Sequence, residues 1–191
     1  MKKYVFPTLD DLNDGCGVIV GNLFVTAAHV VEHNSFYLPL DDKTIELKKE
    51  DAILFEYQPT DDGADIAVFR LDEYSSPLEF DTAQPEIGMQ LDSISYEHVV
   101  EGKPCPTNVF SAESSDWLEL RECQATIEEL HENFFLCHMS MVLKKGSSGS
   151  PVFRDGKVFG ILRGGKPGEP ICLFQSAASI VKLLNQKKKE D

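Results

Sequence analysis

Three short segments hold the residue types that nucleophilic acyl transfer needs. Thr26-Ala27-Ala28-His29-Val30 directly follows an apolar run. Asp65-Ile66-Ala67-Val68-Phe69-Arg70-Leu71 opens on an acid and continues apolar. Gly146-Ser147-Ser148-Gly149-Ser150-Pro151 precedes another apolar run. A serine hydroxyl is a poor nucleophile at neutral pH, so a neutral imidazole must take its proton as the new bond forms. A carboxylate beside that imidazole fixes its tautomer and stabilises the imidazolium. Each segment alone has an ordinary structural reading as a strand end, a turn acid or a Gly-Ser loop. Together, in the order His29, Asp65, Ser148, they are far more specific. His33 follows His29 at a spacing that could pair them on a helical face. No H-E-x-x-H pattern accompanies them, so no metal site is expected.

The elements that must position these residues read mainly as short strands. Gly17 to Val25 is β-branched and apolar around Gly21-Asn22, which predicts a hairpin turning there. Further strands are expected over Ser35–Leu40, Ala52–Tyr57, Ile66–Leu71, Gln90–Tyr96, Trp117–Leu120, Phe134–His138, Pro151–Phe153, Lys157–Leu162 and Ile171–Phe174. Asp155-Gly156 marks a tight turn between two of them. Helices are expected over Ala125–Glu132 and, more strongly, over Ser176–Lys188. In the latter, Ile180, Val181, Leu183 and Leu184 share a face and lysines crowd the end. Ser75 to Pro85 reads as the crossover between two strand-rich halves.

These motifs resemble those of the trypsin-like, chymotrypsin-fold serine peptidases, and in pattern the compact bacterial members near the HtrA-type protease domain. TAAHV is similar to the family's histidine motif, DIAVFRL to its aspartate motif and GSSGSP to its serine motif. Pro85 to Leu91 resembles the entry to its second barrel, and the final segment its C-terminal helix. The resemblance implies an all-β fold of two packed six-stranded antiparallel β-barrels with a C-terminal helix. Residues 1–84 would carry His29 and Asp65, and residues 85–191 would carry Ser148. It implies a serine endopeptidase with His29, Asp65 and Ser148 as catalytic triad and the backbone N–H groups of Gly146 and Ser148 as oxyanion hole. No cofactor is implied. The specificity pocket would have its base near Val142 and Leu143 and its far wall at Arg163-Gly164-Gly165. With no acid at the base, cleavage is expected after a medium apolar residue rather than after Arg or Lys. Arg163 stands where the family often has serine, and could meet Asp65, an acidic substrate group or solvent.

Two departures from the family bear on regulation. Val30 follows His29 where secreted relatives have a cysteine, so their disulfide cannot form around Cys16. Ser147 precedes the nucleophile where secreted zymogens use an aspartate to capture a freed N-terminus. The oxyanion loop must therefore be held by other contacts or by an activating protein partner. The alternative to an active enzyme is a catalytically silent protease fold kept as a binding module.

Composition bounds the setting. Of 191 residues 42% are hydrophobic, enough for a core. The net charge of −14 repels phosphate backbones and anionic lipid, so neither nucleic acid nor membrane is an expected partner. The remaining partners are protein or peptide substrates, basic ones being favoured by the overall charge. The N-terminal apolar run stops at Pro7, short of the roughly seven residues of a secretory core. The five cysteines, at 16, 105, 123, 137 and 172, form no CxxC pair. Free thiols in a reducing cytoplasm are the simplest expectation.

Overall fold

The computed structural model describes residues 1–9, 15–32, 35–40, 43–60, 63–99 and 118–190. Thirteen strands and one α-helix account for most of them. In the N-terminal half, β1 (Val5–Thr8), β2 (Gly15–Val20), β3 (Leu23–Thr26), β6 (Ala52–Tyr57) and β7 (Asp65–Arg70) form an antiparallel sheet in the order β1-β2-β3-β7-β6. β4 (Ser35–Pro39) and β5 (Thr44–Lys48) form a separate hairpin. Leu9 and Tyr37 exchange both backbone hydrogen bonds, which stitches the end of β1 to that hairpin. In the C-terminal half, β8 (Gln90–His98), β9 (Leu118–Leu130), β10 (Phe134–Met139), β11 (Pro151–Arg154), β12 (Lys157–Gly165) and β13 (Ile171–Ser176) close into a six-stranded barrel.

The turns follow their residue chemistry. Gly21 occupies the first position of the two-residue β2–β3 turn at φ 57°, where a side chain would be strained. Asp155 and Gly156 both take positive φ in the β11–β12 turn. The helix α1 (Ala177–Glu190) starts where Ser176 Oγ accepts the Ser179 N–H at 3.2 Å. Ile180 and Leu184 on its inner face are buried, and its last turn carries Lys187, Lys188 and Lys189, which suit the negative end of the helix dipole.

One apolar cluster joins the halves. Val18, Val25 and Val68 from the first sheet pack with Phe153, Ile161 and Ile180 from the barrel and α1. Burying such side chains contributes about 1.5–3 kcal/mol each. This shared core holds the His29- and Ser148-bearing segments in one body.

Three elements differ from the sequence expectation. Ala125–Glu132 is not a helix, because Ala125 to Leu130 lie inside β9. Cys123, Ala125 and Ile127 face inward while Glu122, Gln124 and Glu128 face solvent, a period of two that fits a strand. The acid run that looks helix-like is the wet face of that strand. β1 and β5 were not expected. β5 alternates exposed Thr44, Glu46 and Lys48 with half-buried Ile45 and buried Leu47, too little apolar signal for a firm reading. Trp117, His33 and Cys105 lie outside the described residues.

Candidate active site

β3 ends at Thr26, and the chain tightens into a single 3₁₀ turn over Ala28–Val31 that presents His29. Ala27 and Ala28 are fully buried beneath it, so small residues are needed there. β7 pairs with β3, and its first residue, Asp65, comes to lie under His29. Asp65 is 4% exposed. Its Oδ1 accepts the His29 backbone N–H at 2.9 Å, and its Oδ2 lies 2.6 Å from His29 Nδ1. A carboxylate only accepts, so a neutral imidazole here carries its proton on Nδ1 and keeps the Nε2 lone pair. Two bonds to one carboxylate fix both the backbone and the ring of His29.

Ser148 belongs to a loop docked against the first sheet. Its carbonyl accepts the Cys16 N–H at 2.7 Å, and Thr26 Oγ1 donates to the Cys16 carbonyl at 2.6 Å. Gly149, at φ 85°, is pressed onto the same place. A Cβ there would lie 2.0 Å from Cys16 O and 2.5 Å from Thr26 Oγ1, so no side chain fits. The serine loop is thereby registered to the strand end that carries His29. No hydrogen bond joins Ser148 Oγ to His29 among the described residues, and such bonds are often long before substrate is bound.

The residues before Ser148 form a turn closed by Ser147 N–H to Lys144 O at 3.3 Å, with Gly146 at φ 96°. That φ at the third position is the type II pattern and favours glycine. The Lys145 carbonyl accepts the His98 N–H at 3.0 Å, so the Gly146 N–H of the same trans peptide points away from β8. The Ser147 carbonyl likewise accepts the Ser150 N–H at 3.0 Å, which turns the Ser148 N–H away. Neither N–H meets an acceptor among the described residues. Two such free donors beside a serine hydroxyl can receive a negatively charged oxygen.

Sequence reasoning missed the residues that support this arrangement. Glu97, 2% exposed at the end of β8, accepts the Lys144 N–H at 3.2 Å. Burial pushes its carboxyl above the ordinary glutamate value, partly offset by that N–H and by Arg121 and Lys144. Ser147 Oγ donates to Lys144 O at 2.8 Å, bracing the turn from inside. Gln175, 1% exposed, accepts the Asp65 N–H on Oε1 at 3.1 Å. The only sequence signal was a Glu97-His98 pair at a strand end and a Gln in an apolar strand.

Val142, Leu143, Gly164 and Gly165 line a cavity of about 680 Å³ together with Ser148. Its inner wall adds Leu162 and Cys172, both about 2% exposed. Burial pushes the Cys172 thiol up to about 12, so it stays protonated and acts as a small apolar group. A Cβ on Gly165 would lie 3.0 Å from Cys172 Sγ, tight against that wall. Glu169, also at this cavity, is held by Lys166 at 2.7 Å. Arg163 lines a neighbouring groove of about 540 Å³ with His29, Asp65, Tyr57 and Leu136. A bulge between Leu162 and Gly164 lifts it out of the ladder. Its guanidinium bonds the Thr60 carbonyl and lies 5.1 Å from the Phe134 ring centre.

The comparisons bear on family and fold. The sequence profile of the trypsin-like peptidase domain matches residues 15–161. No curated protein is similar enough in sequence to be matched. Among solved structures, the protease Rv3671c of M. tuberculosis in an inactive form is similar with a TM-score of 0.69 and 17% identity, over 98% of this chain and 88% of that one. An inactivated protease paralogue from the scabies mite gives 0.70 and 16%, over 98% and 92%. The serine endoprotease from Yersinia pestis gives 0.70 and 18%, over 99% of this chain and 64% of that one. At these identities the structural likeness is one of fold. With the profile spanning most of its length, the chain belongs to the trypsin-like peptidase domain family.

Proposed function

We propose that this protein is a serine endopeptidase that cleaves peptide bonds through an acyl-enzyme on Ser148. The observation that carries the proposal is the pair of backbone N–H groups at Gly146 and Ser148, whose peptide carbonyls are both tied back. Ser148 Oγ attacks the substrate carbonyl carbon and gives its proton to His29 Nε2. The carbonyl oxygen becomes an oxyanion received by the two N–H groups, each worth about 2.7–4 kcal/mol in the barrier. Asp65 stabilises the imidazolium, which then protonates the leaving amine. Water, activated by His29, releases the acid and restores Ser148. The apolar wall of Leu143, Leu162 and Cys172 supports Leu, Met or Val at the cleaved position. Buried thiols and a turn held without a freed N-terminus fit a reducing, cytoplasmic setting.

The second reading is a silent binding module. The missing Ser148–His29 hydrogen bond favours it, and a scabies mite protein described as inactivated keeps the same fold. An activating partner that draws Ser148 toward His29 would reconcile the two. Incubating the purified protein with a peptide library separates them, with Ser148→Ala as control. Cleavage after medium apolar residues by the wild type alone is expected. Equal, background cleavage by both proteins would favour the binding module.

A further inference from the structure

The bulk charge of this chain points to basic partners, yet the rim of its cleft is positive. Lys144 and Lys145, both exposed, stand at the lip of the Ser148 cavity, and Lys166 lines it as well. The acid at the same cavity, Glu169, is already neutralised by Lys166. Elsewhere on the surface, many cations sit against acids, as Lys2 with Glu122, Lys157 with Glu79 and Arg154 with Asp81. Lys145 has no ion-pair partner among the described residues. Lys144 feels Glu97, but that carboxyl is buried and committed to the Lys144 backbone N–H. Among the described residues, the cleft therefore presents two adjacent exposed ammonium groups that form no ion pair, within a chain of net charge −14.

Position decides which charge matters to a substrate. Charges beyond about 8 Å are screened at physiological salt, so the distant acidic surface acts weakly on a peptide seated in the cleft. The two lysines directly precede Gly146 and lie beside Ser148, so they act on residues flanking the attacked bond. The cavity wall combines the apolar side chains of Leu143, Leu162 and Cys172 with the buried ring of His98, whereas the two lysines stand exposed at its rim.

We infer that the preferred substrates are acidic peptide segments, with Asp or Glu flanking an apolar residue at the cleaved position. This rests on the reading of the cleft as a peptidase site and names its substrate class. Each exposed lysine contributes a modest preference, so two together give about a threefold to tenfold effect.

The test is binding to the Ser148→Ala protein, which reads the cleft whether or not the enzyme turns over. Three fluorescent peptides share an apolar centre and differ only in carrying Glu, Gln or Lys on both sides. Fluorescence anisotropy should rank them Glu, Gln, Lys from tightest to weakest, with about threefold to tenfold between the first two. The ranking should flatten in 0.5 M salt and in a Ser148→Ala/Lys144→Gln/Lys145→Gln protein whose unfolding temperature is unchanged. Binding of the Lys peptide as tight as the Glu peptide would overturn the inference. So would a ranking that survives removal of both lysines, or no binding by any of the three. Failure to cleave any peptide in the library experiment would instead count against the enzymatic reading alone.

Discussion

Replacing Gly146 by alanine tests the geometry of the proposed oxyanion site at a single atom. The added Cβ would lie 2.8 Å from His98 Cδ2 and 3.3 Å from Tyr96 O. It would also hold an L residue at φ 96°, costing about 1–2 kcal/mol for a left-handed backbone. The turn can relieve both by flipping its central peptide to the type I form, which alanine accepts. That flip breaks the His98 N–H to Lys145 O bond and reverses the Gly146 N–H. One oxyanion donor is lost, and the reaction should slow about 10²–10³-fold. The assay is kcat on a cleaved library peptide, alongside urea unfolding to show that the fold persists. Stability should fall by about 0.5–1.5 kcal/mol from the lost His98 N–H to Lys145 O bond. A folded Gly146→Ala protein within threefold of the wild-type rate would refute the assignment of this N–H.

Two further predictions follow from buried groups. The Glu97 carboxyl is held above its ordinary value of 4.5 by burial, so the folded state binds its proton more tightly than the unfolded state. The stabilisation from that proton is complete below pH 4.5 and is lost as pH rises through the folded value. Glu97→Gln keeps an acceptor for the Lys144 N–H without the charge, so its stability relative to wild type should rise across that interval. Urea unfolding at several pH values checks this, and a pH-independent difference would contradict it. Cys16, Cys123, Cys137 and Cys172 are buried free thiols with pKa values pushed up to about 11 or 12. Thiol counting should find five in denatured, non-reduced protein, and alkylation of those four should be slow in the native protein. A count of three would reveal a disulfide.

The residues proposed to react were legible in the sequence because each sits in a local motif whose spacing is set by strand ends and tight turns. His29 and Asp65 meet through the β3–β7 ladder, which the apolar runs announce. Gly149 lies inside the serine motif, but the need for glycine against Cys16 and Thr26 is visible only in the structure. The supporting residues were not legible. Gln175 reaches Asp65 across 110 positions, and Glu97 reaches Lys144 across 47, so no local pattern links them. Arg163 could be placed on the far wall, but its grip on the Thr60 carbonyl depends on where the β6–β7 loop lies. Ala125 to Leu130 were misread because acids on the wet face of a strand mimic a charged helix when the inward residues are small, such as Ala125. The charge of the cleft was hidden for another reason. A total over the chain averages away two lysines at the one place where they matter.

The most direct test of the central claim is labelling by a fluorophosphonate, which reports an activated serine without assuming any substrate. The wild type should be modified at Ser148 alone, as read by peptide mass spectrometry. Labelling should vanish in Ser148→Ala and fall steeply in His29→Ala. Persistent labelling of the Ser148→Ala protein, or a folded wild type that takes up no probe, would contradict the account.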